Sequence, residues 1–186
     1  MIMAPQSSLT PRVGTTLRGR EDLMGENTLR LVSNSESQTE AFGRDIGASL
    51  SIGDTVLLYG EMGAGKTCMA RGIAIGAESE VSARSPTFII VAEYPGRVRV
   101  FHCDLYRITG ASEVIDLALD ESLDRGALVV EWPENAQGAL PEDALEIRIE
   151  LGQSSEQRSI SMSPTGPKSR SLLDAVAQRL QVGMKT

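Results

Sequence analysis

The sequence predicts an α/β fold in which a central, mostly parallel sheet lies between two layers of helices. Two observations carry this prediction. Apolar, β-branched runs at residues 55–59 and 127–130 are typical of parallel strands that are buried on both faces. Segments whose apolar residues recur at helical spacing lie between the predicted strands. The 186 residues suggest one domain with a sizeable core.

A phosphate-binding motif follows the first apolar run. Residues 60–67 read GEMGAGKT and match G-x-x-x-x-G-K-[ST], the Walker A loop. Its glycines allow tight turns, its backbone N–H groups cradle phosphate, and its threonine hydroxyl binds Mg²⁺. The alternative is a glycine-rich turn with a solvated lysine, but a strand before the motif and a helix after it favour the Walker loop. We therefore predict a three-layer P-loop NTPase fold.

The predicted nucleotide is ATP, bound with Mg²⁺. No N-K-x-D string, the usual guanine reader of GTPases, occurs in the chain, and this favours ATP. The predicted nucleotide-binding residues are Glu61, Met62, Gly63, Ala64, Gly65, Lys66, Thr67 and Cys68. Of these, Lys66 is expected to reach the β- and γ-phosphates, and Thr67 is expected to bind the metal ion.

The chain before the motif divides into two parts. Residues 1–27 contain scattered Pro, Gly, Ser and Thr, and their three arginines precede any acidic residue. We expect a disordered tail or a start codon assigned too early, with Met24 the real start; a transit peptide is less favoured because no amphipathic helix is evident. Residues 28–32 then predict a strand. Ser35 and Gln38 form a capping box for a helix over 36–50.

The chain after the motif predicts further strands and helices. The Walker helix is expected to end near Gly76, and Pro86 fixes a loop in the string SPTF at 85–88. The later predicted elements are a β-hairpin over 87–103, short helices within 112–125, strands at 127–130, 144–151 and 158–162, and a closing helix. We expect an ATPase domain over 28–163 and a C-terminal segment, 164–186, that packs its helix on the same domain.

Two carboxylates are candidates to complete the site. Glu131 ends an apolar strand, where P-loop proteins place an acid that holds the metal shell; the alternative is an exposed acid at a strand end. Asp104 ends the hairpin. It can hold metal-bound water, orient the attacking water or act as a base. The alternative is a structural salt bridge with Arg107.

Two further residues near the predicted site are Thr87 and His102. Thr87 lies where a γ-phosphate sensor would sit, although a threonine in a turn is more often structural. His102 is interpreted as a core or edge histidine.

Charge and composition exclude several classes of protein. A net charge of −7 argues against direct binding to nucleic acid, so an RNA-related role is expected to involve a partner protein. No apolar run approaches the ~20 residues that span a bilayer. The chain has two cysteines, Cys68 and Cys103, and a single histidine, which together make no zinc set. We expect two buried free thiols in a reducing cytosol.

Several motifs together resemble those of one family. They are GEMGAGKT, SPTF, EY at 93–94, HCDLYR and VVEWPE, and they occur in this order over roughly residues 28–150. The chain resembles the TsaE family, the P-loop ATPases of tRNA threonylcarbamoyladenosine biosynthesis. HCD stands where H-F-D is commoner in the family, a difference expected to change packing more than chemistry.

The resemblance implies a weak, Mg²⁺-dependent cytoplasmic ATPase that is not itself the threonylcarbamoyl transferase. Its implied partners are TsaB and TsaD, which carry out the transfer; it would bind and reset their complex through ATP hydrolysis and meet tRNA only through them. By motif position, Lys66 and Thr67 hold the phosphates and Mg²⁺, and Thr87 belongs to a switch-like loop. Asp104 and Glu131 are the acidic residues of the metal and catalytic site.

Two other functions remain open on the same fold. A small-molecule kinase usually has an arginine-rich lid that closes on the phosphates, and the polar stretch 77–84 carries only Arg84. A nucleotide-dependent scaffold would bind ATP without turnover, even with partners present.

Overall fold

The computed structural model describes residues 24–25, 28–79, 91–108, 114, 119–136 and 138–183. The strands in these ranges are β1 (Met24–Gly25), β2 (Thr28–Ser33), β3 (Thr55–Tyr59), β4 (Val91–Tyr94), β5 (Val100–Asp104), β6 (Ala127–Glu131), β7 (Leu145–Leu151) and β8 (Arg158–Pro164). The helices are α1 (Glu36–Ser49), α2 (Lys66–Gly76), α3 (Leu119–Leu123) and α4 (Pro167–Gly183), with a 3-10 turn at Pro133–Ala136.

Within the described ranges, the strands form a single mixed sheet in the order β1-β2-β8-β7-β3-β6-β5-β4. The four central strands, β7, β3, β6 and β5, are parallel, and every pairing outside them is antiparallel. The predicted α/β P-loop fold is confirmed. Its antiparallel part is larger than the one predicted hairpin, because β8 turns back on β7 and β2 and β1 extend that edge.

The parallel strands have apolar runs because helices or loops cover both faces of the sheet. On β3, Val56 and Leu58 belong to one apolar cluster and Leu57 belongs to the other. The first cluster packs α1, α2 and α4 against the sheet, with Ile46, Met69 and Leu173 almost fully buried. The second packs α3 and the segments around it on the opposite face. The result is the three-layer arrangement that keeps the carboxyl ends of the strands open.

Helix α1 begins at the predicted cap. Ser35 is extended, with φ −161° and ψ 160°, and its hydroxyl accepts the Gln38 N–H at 3.2 Å. The Gln38 side chain returns the contact by accepting the N–H of Asn34 at 2.8 Å. This is one residue before the expected Ser35 N–H, so the capping box is present in a slightly shifted form.

Most predicted element boundaries agree with the structure to within one or two residues. The hairpin is present as β4 and β5 over 91–104; residues 87–90 lie outside the described residues. Of the predicted tail, Met24–Gly25 pair with β2, and the rest of 1–27 also lies outside them, so its interpretation stays a prediction. Of the segment 112–125, Leu119–Leu123 form a helix. Among the helices that the structure describes, none is both long and apolar enough to cross a membrane.

Candidate functional site

The Walker loop joins β3 to α2 at the carboxyl ends of the parallel strands. Gly60 has φ +146°, and a Cβ on it would lie 2.4 Å from the carbonyl oxygen of Ile149 on β7. Gly65 is the N-cap of α2 with φ +113°, and it offers no side-chain oxygen to the first turn. The first N–H groups of α2 therefore lack intrahelical acceptors and are available to an anion.

Lys66 is almost fully buried, at 5% exposure, beside this turn. Its Nζ donates to the carbonyl oxygens of Gly60 at 2.5 Å and Glu61 at 3.0 Å, and it lies 3.6 Å from the centre of the Trp132 ring. Burial lowers the pKa of Lys66, and the charges of nearby carboxylates oppose that shift. These carboxylates are Glu131, Glu134 and Asp104. Because its hydrogen bonds go to neutral carbonyls, an incoming phosphate can compete for the ammonium group.

Glu131 is the central carboxylate of the site and is only 2% exposed. One of its oxygens, Oε2, accepts the hydroxyl of Thr67 at 2.9 Å. The other, Oε1, lies 2.9 Å from Nε2 of His102 on the adjacent strand β5. The Thr67 hydroxyl thus uses its proton on Glu131 and keeps its lone pairs for a metal ion. This contact joins the beginning of α2 to the end of β6.

Asp104 lies at the end of β5, directly opposite Glu131 in the parallel register. It is half-buried, and its Oδ1 accepts the N–H of Tyr106 at 3.0 Å, which tightens the turn after the strand. The Tyr106 ring packs 5.1 Å from the Trp132 ring, centre to centre. Two carboxylates and two aromatic rings therefore form one wall of the site.

These groups line a cavity of about 560 Å³. Its floor is the segment 62–68, and its first wall carries Asp104 and Glu131 with the two aromatic rings. The opposite wall is built from Glu36, Thr39, Ser155, Glu156 and Arg158. Arg158 also braces the floor, because its Nε donates to the Ala64 carbonyl at 2.8 Å and a terminal nitrogen reaches the Gly63 carbonyl at 3.4 Å. The cavity is thus large and rigid enough for a nucleotide-sized ligand.

The donor set fits a nucleotide with a hard cation. Uncapped N–H groups and Lys66 suit phosphate, while the Thr67 hydroxyl and two carboxylates suit Mg²⁺, which uses few protein oxygens and takes others from phosphates and water. Within the described residues, no group of three or more His, Cys, Asp or Glu side chains could hold a metal ion alone. Thr67 and the two carboxylates would therefore hold such an ion together with phosphate oxygens and water.

Comparison with known proteins assigns the chain that carries this site to a protein family. A sequence model described as "Threonylcarbamoyl adenosine biosynthesis protein TsaE" matches residues 33–160, well over half of the chain. The chain belongs to the TsaE family. The match runs from the end of β2 to the start of β8 and includes both walls of the cavity. The family description connects the chain with the biosynthesis of threonylcarbamoyladenosine in tRNA.

Individual TsaE proteins agree with this assignment. The chain is 35% identical over 124 residues to the TsaE protein of Treponema pallidum, covering 66% of this chain and 92% of that protein. It is 41% identical over 112 residues to the TsaE protein of Streptomyces coelicolor, covering 58% and 76%. The crystal structure of Bacillus subtilis YdiB superposes with a TM-score of 0.69 at 27% identity, covering 82% of this chain and 95% of that one.

The structure brings most of the predicted site residues of this TsaE protein together. Met62 to Cys68, Asp104 and Glu131 all line the cavity. Glu61 lines a neighbouring groove between β3 and β7 instead, and it contributes to the site through its carbonyl bond to Lys66. Thr87 lies outside the described residues, so its switch role stays a prediction.

The opposite wall of the cavity and the contact between His102 and Glu131 are not predicted by the sequence. Glu36 and Thr39 lie in the first turn of α1, and Ser155, Glu156 and Arg158 come from the β7–β8 turn and the start of β8, outside the motifs that predict the nucleotide site. No sequence signal points to them. The sequence predicts a core or edge histidine at position 102; His102 is buried on β5 and also contacts Glu131. The alternation of β5, which places His102 and Asp104 on one face, is the signal that could have indicated this.

Proposed function

We propose that this TsaE protein is a Mg²⁺-dependent ATPase that supports threonylcarbamoyladenosine modification of tRNA by binding and resetting the TsaB–TsaD complex. The observation that carries the ATPase part is the 2.9 Å hydrogen bond from Thr67 to Glu131. It connects the Walker threonine to a strand-end carboxylate, which is how P-loop NTPases hold the metal shell. An exposed acid at a strand end would make no such contact.

The residues have separate roles in this proposal. Lys66 and the first turn of α2 bind the phosphates. Thr67 and Glu131, with Asp104 beside them, hold the Mg²⁺ shell. When bound, Mg²⁺ supplies positive charge that neutralises the phosphate oxygens as bond breaking proceeds. Asp104 either completes this shell or orients the attacking water, and Thr87 is proposed to respond to the γ-phosphate.

The proposed role is that of an accessory protein rather than the transferase. The net charge of −7 disfavours direct contact with the tRNA backbone, so tRNA is proposed to be reached through TsaB and TsaD. Met62, at 68% exposure, and Tyr106, at 50%, line the cavity, where a docking protein can cover them. Both cysteines are free and buried, which suits the cytoplasm, the compartment we propose.

One reconstitution separates this function from a small-molecule kinase and from a non-hydrolysing scaffold. ATP hydrolysis is measured with the protein alone, then with TsaB and TsaD, then with tRNA added. The proposal expects slow release of phosphate alone and faster release with the pair. Transfer of phosphate to a metabolite would support a kinase instead. Tight ATP binding without turnover, even with both partners and tRNA, would support a scaffold.

A further inference from the structure

His102 lies inside the sheet, yet it contacts the carboxylate of the proposed metal site. Its exposure is 2%, equal to that of Glu131, and Nε2 lies 2.9 Å from Glu131 Oε1. A buried polar contact of this kind is strengthened by its apolar surroundings. The proposed function uses Glu131 but leaves the purpose of this contact open.

The strand register explains why the two side chains meet. In the parallel pairing of β5 and β6, His102 is opposite Val129 and Asp104 is opposite Glu131. Alternate residues on a strand share a face, so His102 lies on the same face as Glu131, one step back from the carboxyl edge. The His102 ring contacts Glu131 without lining the cavity itself.

The contact fixes the orientation of the Glu131 carboxylate. Thr67 donates to Oε2 and His102 contacts Oε1, so the carboxylate group cannot rotate without losing a hydrogen bond. Nδ1 of His102 is buried and has no hydrogen-bond partner among the described residues. We assign a proton to Nε2, because a carboxylate oxygen can only accept and the ring must therefore donate in this contact.

We propose that His102 is a positioning residue for the metal site, which holds the Glu131 carboxylate in the orientation needed to bind Mg²⁺ with the nucleotide. The proposal rests on the proposed Mg²⁺-ATPase function. Its physical basis is that hydrogen-bonded partners behind a metal-binding carboxylate set the direction of its lone pairs. Loss of such partners typically costs about 10- to 100-fold in metal affinity or activity.

The test compares His102→Phe with His102→Gln. Phenylalanine keeps an aromatic ring of similar size in the core but cannot donate to Glu131, whereas the glutamine amide can. Mn²⁺ binding in the presence of ADP is followed by electron paramagnetic resonance, and the Mg²⁺ concentration that gives half-maximal ATP hydrolysis is measured alongside. We expect His102→Phe to weaken Mn²⁺ binding and raise that Mg²⁺ concentration by about 10-fold or more. His102→Gln should recover most of the loss, and ADP affinity without metal should stay unchanged in both.

Thr55→Val is the matched control for removal of a buried polar group. Thr55 is also a strand residue, 3% exposed, whose hydroxyl has no hydrogen-bond partner among the described residues, and it lies at the opposite end of β3 from the site. This variant should bind Mn²⁺ and ADP as the wild type does. If His102→Phe does not fold, His102→Asn replaces it, because the shorter amide stops short of Glu131.

The possible outcomes distinguish failure of the positioning role of His102 from failure of the proposed ATPase function. A wild-type protein that binds no Mn²⁺ with ADP would overturn the ATPase function and, with it, the role of His102. A wild type that binds Mn²⁺, with His102→Phe binding it equally well, would overturn the positioning role alone. Equal impairment in His102→Phe and His102→Gln would also overturn it, because the loss would then follow ring packing rather than the hydrogen bond.

Discussion

Asp104 and Glu131 are direct neighbours across the parallel strands β5 and β6, at the edge where both strands end. Their side chains share a face, and like charges in adjacent positions repel each other. Among the described residues, Lys66 is close enough for its charge to interact with both carboxylates, but its hydrogen bonds go to carbonyl oxygens. A divalent cation bound beside such a carboxylate pair would relieve this repulsion, which supports the proposed Mg²⁺ site.

The first prediction decides what Asp104 does. Asp104→Asn removes the charge but keeps an oxygen that can accept the Tyr106 N–H. If Asp104 serves the metal or the attacking water, hydrolysis should fall by about 100-fold or more, while the melting temperature changes by only a few degrees. Steady-state kinetics and thermal unfolding of the same preparation check both numbers.

The alternative for Asp104 is a structural ion pair with Arg107. In that case Asp104→Asn and Arg107→Gln should lower the melting temperature by similar amounts and leave the turnover rate almost unchanged. Such a result would contradict the assignment of Asp104 to the site.

The second prediction concerns Glu131. Glu131→Gln keeps the shape and an oxygen for Thr67 but loses the negative charge that is proposed to hold the metal shell. We expect kcat to fall by about 100-fold or more, with ATP affinity in the absence of Mg²⁺ changed by less than about threefold. The control is Glu146→Gln, on β7, where the carboxylate pairs with Arg148 outside the cavity. Normal turnover in Glu131→Gln would refute its role.

The third prediction concerns Lys66. Hydrogen bonds to charged groups contribute about 1.5–3 kcal/mol, so Lys66→Ala should raise the Kd for ATP by about 10- to 100-fold. Lys168→Ala is the control, because that lysine lies at the start of α4, away from the cavity. Calorimetric titration measures both affinities. Equal Kd values for the two variants would show that Lys66 does not contact the phosphates.

The sequence predicts the features that depend on neighbouring residues better than those that depend on contacts between distant segments. The Walker loop and the capping box are local signals, and β3 and β6 were recognised because burial on both faces requires apolar residues at every position. The antiparallel edge formed by β2, β8 and β7 depends on pairing between distant segments, so sequence could predict its strands but not their order. The contact of Arg158 with the Walker loop could not be predicted for the same reason, because it depends on the pairing that brings β8 beside that loop.

The fourth prediction uses Trp132, the single tryptophan of the chain. Its ring lies 3.6 Å from Nζ of Lys66, and its backbone has φ +57°, an uncommon value for a residue with a side chain. When phosphate attracts the ammonium group, the field at the indole changes, so intrinsic fluorescence should change on addition of ATP and saturate at the Kd found by calorimetry. In Lys66→Ala this signal should be lost at the same ATP concentrations. A fluorescence change that persists there would mean that Trp132 responds to something other than Lys66.

The fifth prediction is a pH dependence of stability set by Cys103. This thiol is fully buried on β5, and burial raises its pKa to about 12. The ordinary value is 9.0, so the unfolded chain loses this proton first, and stability falls as the pH rises from about 9 toward 12. At pH 10 the loss due to this group is about 1 kcal/mol. Cys103→Ala removes this term, so its deficit in unfolding free energy relative to the wild type should shrink by that amount between pH 7 and pH 10. Denaturant titrations at the two pH values measure it, and a deficit that stays constant would mean that the thiol titrates normally in the folded protein.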